Sequence, residues 1–286
     1  MDLNTEHSSM RVLKPLRSAF SMLELVFVIV ILGVVSSIGA EIIVQVYESY
    51  IVQRSHYKSA IKSELALNQI ANRLRYAIPG TVVVRADLGS PAVSISAATG
   101  ADDRVIQWVG YDADSFEAID SDADLKPGWS SFCDIAASTA TTISTPGSNL
   151  DLATEIIDNL GGDIADAVLY FPYENGASVD ISGGSGESIN LDSAIPAGDR
   201  IHERYKLAWT SYALEVDDNN DLILHYNFSP TLGADINGQS SILLRDVTNF
   251  RFKGSEGSIR IKVCKEEKIG TDADEAVHSC KEKVIF

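Results

Sequence analysis

Residues 20–40 form an apolar run broken by a single charge, Glu24. As a helix the run spans roughly 32 Å, enough to cross the hydrocarbon core of a bilayer. Arg11, Lys14 and Arg17 stand just before it. The preference for cations on the cytoplasmic side predicts residues 1–19 inside and the bulk of the chain outside. Two ordinary readings of such a segment leave Glu24 unexplained. A secretory signal peptide needs an uninterrupted apolar core and small residues at −3 and −1 of its cut. Cleavage after Ala40 puts Ile38 at −3, a poor fit; cleavage after Gly39 puts Ser37 there, a tolerable one. A plain anchor would hold a carboxylate in lipid at a cost of about 2.5–3.5 kcal/mol at mid-membrane, less near the interface. A residue that costly needs a partner.

The stretch Ser18-Ala19-Phe20-Ser21-Met22-Leu23-Glu24-Leu25 resembles the prepilin signature of type IV pilin-like proteins. In that family a small residue precedes the cut, Phe follows it, and a Glu stands fifth in the mature chain ahead of a long apolar helix. The resemblance implies cleavage between Ala19 and Phe20 by prepilin peptidase, with methylation of the new Phe20 amine. Glu24 is then fifth. Along a helix the new amine and the Glu24 position are only ~6 Å apart. In the family this Glu pairs with the N-terminal amine of a neighbouring subunit, and pairing two charges removes the cost of burying either alone. The chain departs from the family pattern in having Ala19 where Gly is favoured, and in lacking a Pro near Glu41.

The helix is predicted to continue to residue 78. No Gly or Pro occurs from 41 to 78, and Pro79-Gly80 stops it. Tyr57, Ile61 and Leu65, then Leu67, Ile70, Leu74 and Ile78, recur at three- or four-residue steps and predict an apolar stripe packed on a globular domain. Beyond residue 80 the pattern turns to strands, over 81–86, 92–97, 104–110 and 167–172. A hairpin is expected from 207–216 and 221–228 around an Asp217-Asp218-Asn219-Asn220 turn, with later strands at 241–245, at Phe250/Phe252 and at Ile259/Ile261/Val263. A short helix is expected at 151–160, and loops at 112–128 and 176–198. The expected fold class is α+β, and the resemblance makes it pilin-like: leader 1–19, long helix 20–78 with a transmembrane part at about 20–40, and a β-rich globular domain at 79–286. Segments 67–75 and 243–252 are similar to the helix end and late strand pair of J-type minor pseudopilins and W-type minor pilins.

A net charge of −17 repels phosphate backbones and argues against a nucleic-acid partner. Arg245, Arg251, Lys253, Arg260 and Lys262 are the dense basic stretch before the C-terminal tail, and they read as solvated strand faces. Cys264 and Cys280 are expected to close a disulfide in an oxidising compartment, leaving Cys133 over; in a reducing one all three are free thiols. Asp120, Asp122 and Asp124 have the first three oxygen positions of a calcium loop, but Leu125 stands where its Gly belongs and no closing Glu follows. Asp217–Asp221 and Asp272/Asp274 are weaker candidates of the same kind, and a solvated acidic turn is the plainer reading of all three. The five histidines are scattered, His225 reads as a surface residue, and no hydrolase, zincin, phosphate-loop or dinucleotide motif is present. The expectation is therefore no enzyme and no required cofactor. The resemblance implies a minor pilin or pseudopilin, a structural subunit at or near the tip of a type IV pilus or type II secretion filament. It would be held in the inner membrane with its globular domain in the periplasm, and its partners would be other such subunits. The alternative is the same anchor carrying an adhesin, a binding module.

Overall fold

The computed structural model of the protein describes residues 21–98, 103–120, 125–171, 178–195, 201–255, 257–269 and 276–285. The chain divides into two units, Met1–Val52 and Gln53–Phe286. The fold is α+β: one long apolar N-terminal helix and, among the described residues, three antiparallel sheets.

Helix α1 runs from Met22 to Arg75. It ends before the predicted residue 78 because the chain leaves it to pair with a strand. Ile78 N–H donates to Val109 O and Tyr111 N–H to Tyr76 O, both at 2.9 Å. Pro79 also disfavours helical backbone at the residue before it. Among the described residues fourteen strands follow, with two further α-helices. They are β1 (Val83–Arg85), β2 (Val93–Ser94), β3 (Val105–Gly110), α2 (Ala113–Glu117), β4 (Thr142–Ser144), α3 (Leu150–Asn159), β5 (Val168–Tyr170), β6 (Ser178–Ser185) and β7 (Ser188–Leu191). Then come β8 (Lys206–Ala208), β9 (Thr210–Val216), β10 (Leu222–Phe228), β11 (Gln239–Leu244), β12 (Val247–Ser255), β13 (Ser258–Lys268) and β14 (Ala276–Ile285). The sheets have the orders β11-β10-β9-β3-β1-β2, β12-β13-β14 and β4-β7-β6-β5-β8.

Within residues 53–75 one face of α1 is buried: Ser59, Ser63, Ala66, Leu67, Ile70, Ala71 and Leu74. Its apolar members pack with Trp108, Leu214 and Leu224 of the six-stranded sheet and with Phe250, Phe252, Ile261 and Val263 of the three-stranded one. Each fully buried Leu or Ile here contributes about 1.5–3 kcal/mol. The predicted stripe is half right. Leu67, Ile70, Leu74 and Ile78 are buried, but Tyr57, Ile61 and Leu65 are 71%, 38% and 57% exposed. At 3.6 residues per turn the row 57, 61, 65 lies roughly half a turn from the row 59, 63, 70, 74. The inward positions are held by two serines, whose hydroxyls have no hydrogen-bond partner among the described residues.

A second core joins α3 to the five-stranded sheet, around Trp129, Leu150, Ile157, Leu169, Leu207 and Trp209. Its hairpin β6–β7 lies where a loop is predicted. Val179, Ile181, Ile189 and Leu191 supply the inward positions, but Gly and Ser between them mask the period of two. The other predicted loop contains α2, whose first turn is capped by Asp112 accepting from Ser115 N–H at 3.1 Å. The strand predicted at 92–97 is two residues of β2 followed by a tight 3-10 turn, Ile95–Ala97. The strand predicted at 207–216 is divided at Trp209, with β8 in one sheet and β9 in another.

Candidate functional site

The start of α1 is built by Ser21 and Glu24. Glu24 N–H donates to Ser21 Oγ at 3.2 Å. Ser21 O accepts from Glu24 N–H at 3.0 Å and from Leu25 N–H at 3.2 Å. Ser-x-x-Glu is the spacing of a capping box, in which a serine hydroxyl satisfies an orphan donor of the first turn. The carboxylate of Glu24 therefore stands in the positive end of the helix dipole, a placement favourable by about 0.3–1 kcal/mol at an exposed site. The Ser21/Glu24 spacing was legible in the sequence, but the family signature draws attention past it. Ala19 and Phe20 lie outside the described residues. Glu24 is exposed, as are the apolar residues beyond it, with Phe27 at 63% and Ile31 at 57%. This helix is long and apolar enough to cross a membrane, and none of its most apolar stretch is buried within the fold. An apolar surface of that extent marks a membrane or an interaction face.

Further along, α1 is fastened to the three-stranded sheet by charge. Lys58 and Lys62 approach Glu267 at 3.4 and 3.5 Å, and Lys281 approaches Glu64 at 3.7 Å. Lys283 Nζ donates to Asn68 Oδ1 at 2.8 Å. Beneath Glu267 lies a buried ammonium, Lys265. It donates to Arg245 O at 2.9 Å, Asp246 Oδ2 at 3.0 Å and Glu266 O at 3.1 Å, and meets Glu267 Oε2 at 3.2 Å. A buried charge persists only when paired and hydrogen-bonded in this way. Burial alone would raise the Glu267 carboxyl, but the hydrogen bond and charge of Lys265, with Lys62 and Lys58, hold it below its ordinary value of 4.5.

Cys264 and Cys280 face each other across β13 and β14 and are joined as a disulfide. Cys133 is a free, buried thiol whose pKa burial pushes up. His225 is not a bare surface residue: its Nε2 meets Glu215 Oε1 at 2.8 Å, and both side chains are mostly covered.

Of the calcium candidates, Asp122, Asp124, Asp272 and Asp274 lie outside the described residues. Asp120 Oδ2 accepts from Asn149 Nδ2 at 2.9 Å, steadying the residue that caps α3. Asp217 is the turn residue of the β9–β10 hairpin. Its Oδ1 accepts from Asp221 N–H at 2.7 Å and from Asn219 N–H at 3.0 Å. The hydrogen bond from Asp221 leads the effects that lower its pKa. Among the described residues no group of three or more His, Cys, Asp or Glu is placed to hold a metal ion.

A cleft of about 830 Å³ lies beside the end of α3. Gly161, at φ +86°, ends that helix. Gly162 N–H returns to Ile157 O and Gly161 N–H to Asp158 O, both at 3.0 Å, the pair of bonds of a Schellman stop. A Cβ on Gly162 would lie 2.5 Å from the Trp209 ring, so only glycine lets the chain pass the indole. Asp163, Asp166, Asp180 and Asp192 line the cleft with Trp209 and Asn227, and among the described residues its lining has no Lys, Arg or His.

No protein-family model, no curated protein and no solved structure matches the chain.

Proposed function

We propose that the protein is a minor pilin or pseudopilin, a structural subunit of a type IV pilus or type II secretion filament, placed at or near the tip. In this reading prepilin peptidase cuts between Ala19 and Phe20, and the mature chain waits in the inner membrane with its globular domain in the periplasm. The observation that carries it is one carboxylate, Glu24, in the first turn of a long apolar helix whose apolar part is uncovered by its own fold. A lipid-facing helix with a charge at that position is stable where the charge meets an opposite one. The Phe20 amine of a neighbouring subunit supplies it. The helix leaves lipid for a bundle of like helices, and the work done is assembly rather than catalysis.

Glu24→Gln and Glu24→Ala test this together, because glutamine keeps the capping-box geometry and removes only the charge. Both variants are expected to be cleaved normally and to enter filaments poorly. Incorporation of Glu24→Gln at the wild-type level would remove the charge-pairing role.

A further inference from the structure

A sheet edge offers unpaired backbone N–H and C=O groups to any extended chain, and folds ordinarily blunt their edges by keeping them short or by charging them. Among the described residues the three sheets end in β11 and β2, in β12 and β14, and in β4 and β8. β2, β4 and β8 are two or three residues long. β12 carries Arg251 and Lys253, and β14 carries His278, Lys281, Glu282 and Lys283. β11 has neither protection. It is six residues long and reads Gln-Ser-Ser-Ile-Leu-Leu, with no charge and no proline. Gln239–Ile242 pair with Tyr226–Ile223 of β10 in unbroken register, and the one bulge falls beyond them, at Leu243. These four residues are exposed, Ile242 at 45%, so no described part of the chain covers them. Along such an edge alternate residues turn their N–H and C=O outward. A fold that protects its other edges and leaves this one open points to a use for it.

We propose that β11 receives an extended segment of a different polypeptide, neutral along its length and basic at its ends, as an added strand of the six-stranded sheet. Main-chain hydrogen bonds supply the affinity in this mode of recognition, and side chains on alternate positions tune it. Gln239, Ser240 and Ser241 are polar and uncharged, so the edge admits varied side chains and Ile242 gives it one apolar contact. The ends of the edge are acidic. Asp218 stands in the turn beyond the Leu222–Leu244 pair, and Asp235 lies four positions before Gln239; both are exposed. Arg245, at the Leu244 end, is taken up by Asp221 at 3.1 Å. Residues 76–244 as a whole carry 26 Asp and Glu against 6 Lys and Arg. A second copy would bring that same acidic segment against the first, and like potentials oppose the approach, whereas a strand with basic ends is drawn in. The edge lies within residues 53–286 and does not rest on cleavage at Phe20. It agrees with the tip reading, in which the subunit meets chains other than its own.

The test uses the full chain in detergent micelles, with its N-terminus read by mass spectrometry. The probe is a capped synthetic peptide, Lys-Thr-Val-Thr-Val-Thr-Lys. Two companions are the same peptide N-methylated throughout, which keeps its side chains and removes its backbone donors, and a peptide with Glu at both ends. Binding is measured by fluorescence anisotropy, and its place by amide hydrogen exchange. The first peptide is expected to bind and to slow exchange at the amides of residues 239–244. The two companions are expected to bind at least about tenfold more weakly. Ser240→Lys with Ile242→Lys charges the edge and should weaken the first peptide to the same degree, while Asn72→Lys with Asn249→Lys adds the same charge elsewhere and should not. Near-ultraviolet dichroism of the tryptophans confirms folding, and Ile242→Lys alone replaces a double variant that fails to fold. No binding, equal binding of the N-methylated peptide, equal losses in the two lysine variants, or protection outside β11 overturns the proposal. So does a dimer of the wild-type chain in analytical ultracentrifugation that the peptide dissociates, which would assign the edge to a second copy. Binding at β11 by a chain that still begins at Met1 would leave the edge standing and remove the filament reading instead.

Discussion

Replacing Ile70 with alanine, alongside Leu65 with alanine, reads out which face of α1 is held by the fold. Ile70 is 1% exposed and packs in the core that includes Trp108. Ile70→Ala deletes about three buried carbons, which at ~0.8 kcal/mol per methylene is about 2.4 kcal/mol of transfer free energy. The cavity left behind adds to that, so a loss of about 3–4 kcal/mol is expected. Leu65 sits five positions before it but is 57% exposed, and Ala is an equal or better helix former there. Leu65→Ala is expected to change stability by no more than about 0.5 kcal/mol. Urea unfolding of the full chain in detergent, followed by fluorescence, measures both. Trp108, Trp129 and Trp209 all lie in the cores of residues 53–286, so the signal reports that unit rather than the apolar part of α1. Equal losses for the two variants, or a larger loss for Leu65→Ala, would refute the helix face described above.

Replacing Cys264 and Cys280 with alanine together removes a bridge spanning 16 positions. The chain-entropy model puts its contribution at about 3 kcal/mol. Urea unfolding with and without reductant checks this, since reductant should weaken the wild-type protein and leave the variant unchanged. Acid should loosen the fastening of α1 to β13. Glu267 titrates below its ordinary value of 4.5, so its contribution is complete above that pH and is lost as pH falls through the depressed value. A Glu267→Gln chain should start less stable at neutral pH and lose less on acidification. A thermal-unfolding series from pH 6 to pH 3 on both chains would show identical slopes if the clasp contributes nothing.

How much of this was legible in the sequence depends on whether a residue's local pattern and its tertiary task agree. The hairpin of β9 and β10 was legible because Leu222, Leu224, Tyr226 and Phe228 alternate with Ile223, His225 and Asn227 and Asp217 opens the turn. The stop of α3 was legible because Gly161-Gly162 does what only glycine does. The inward face of α1 was not, since Ser59 and Ser63 hold it while Tyr57, Ile61 and Leu65 point outward. Strand β14 escaped for a related reason. Its α1-side positions include Lys281 and Lys283, which meet Glu64 and Asn68, and a strand whose packing partner is a charged helix face does not alternate cleanly in hydropathy. The run from 207 to 216 reads as one strand because nothing in a one-dimensional pattern says that Trp209 divides it between two sheets. At the candidate site, Glu24 was legible by its isolation in an apolar run, and its capping partner Ser21 by spacing. The acidic cleft was not, because Asp163, Asp166, Asp180 and Asp192 are brought together by α3, β6 and β7 from across the sequence.

The filament-subunit reading of this chain turns on a new N-terminus being made beside Glu24. Intact-mass and peptide mass spectrometry of protein purified from its own membrane measures this directly. A mature chain beginning at Phe20 with a methylated amine is the expected result. A chain that begins at Met1, or near Glu41 after removal of an ordinary signal peptide, would contradict the account.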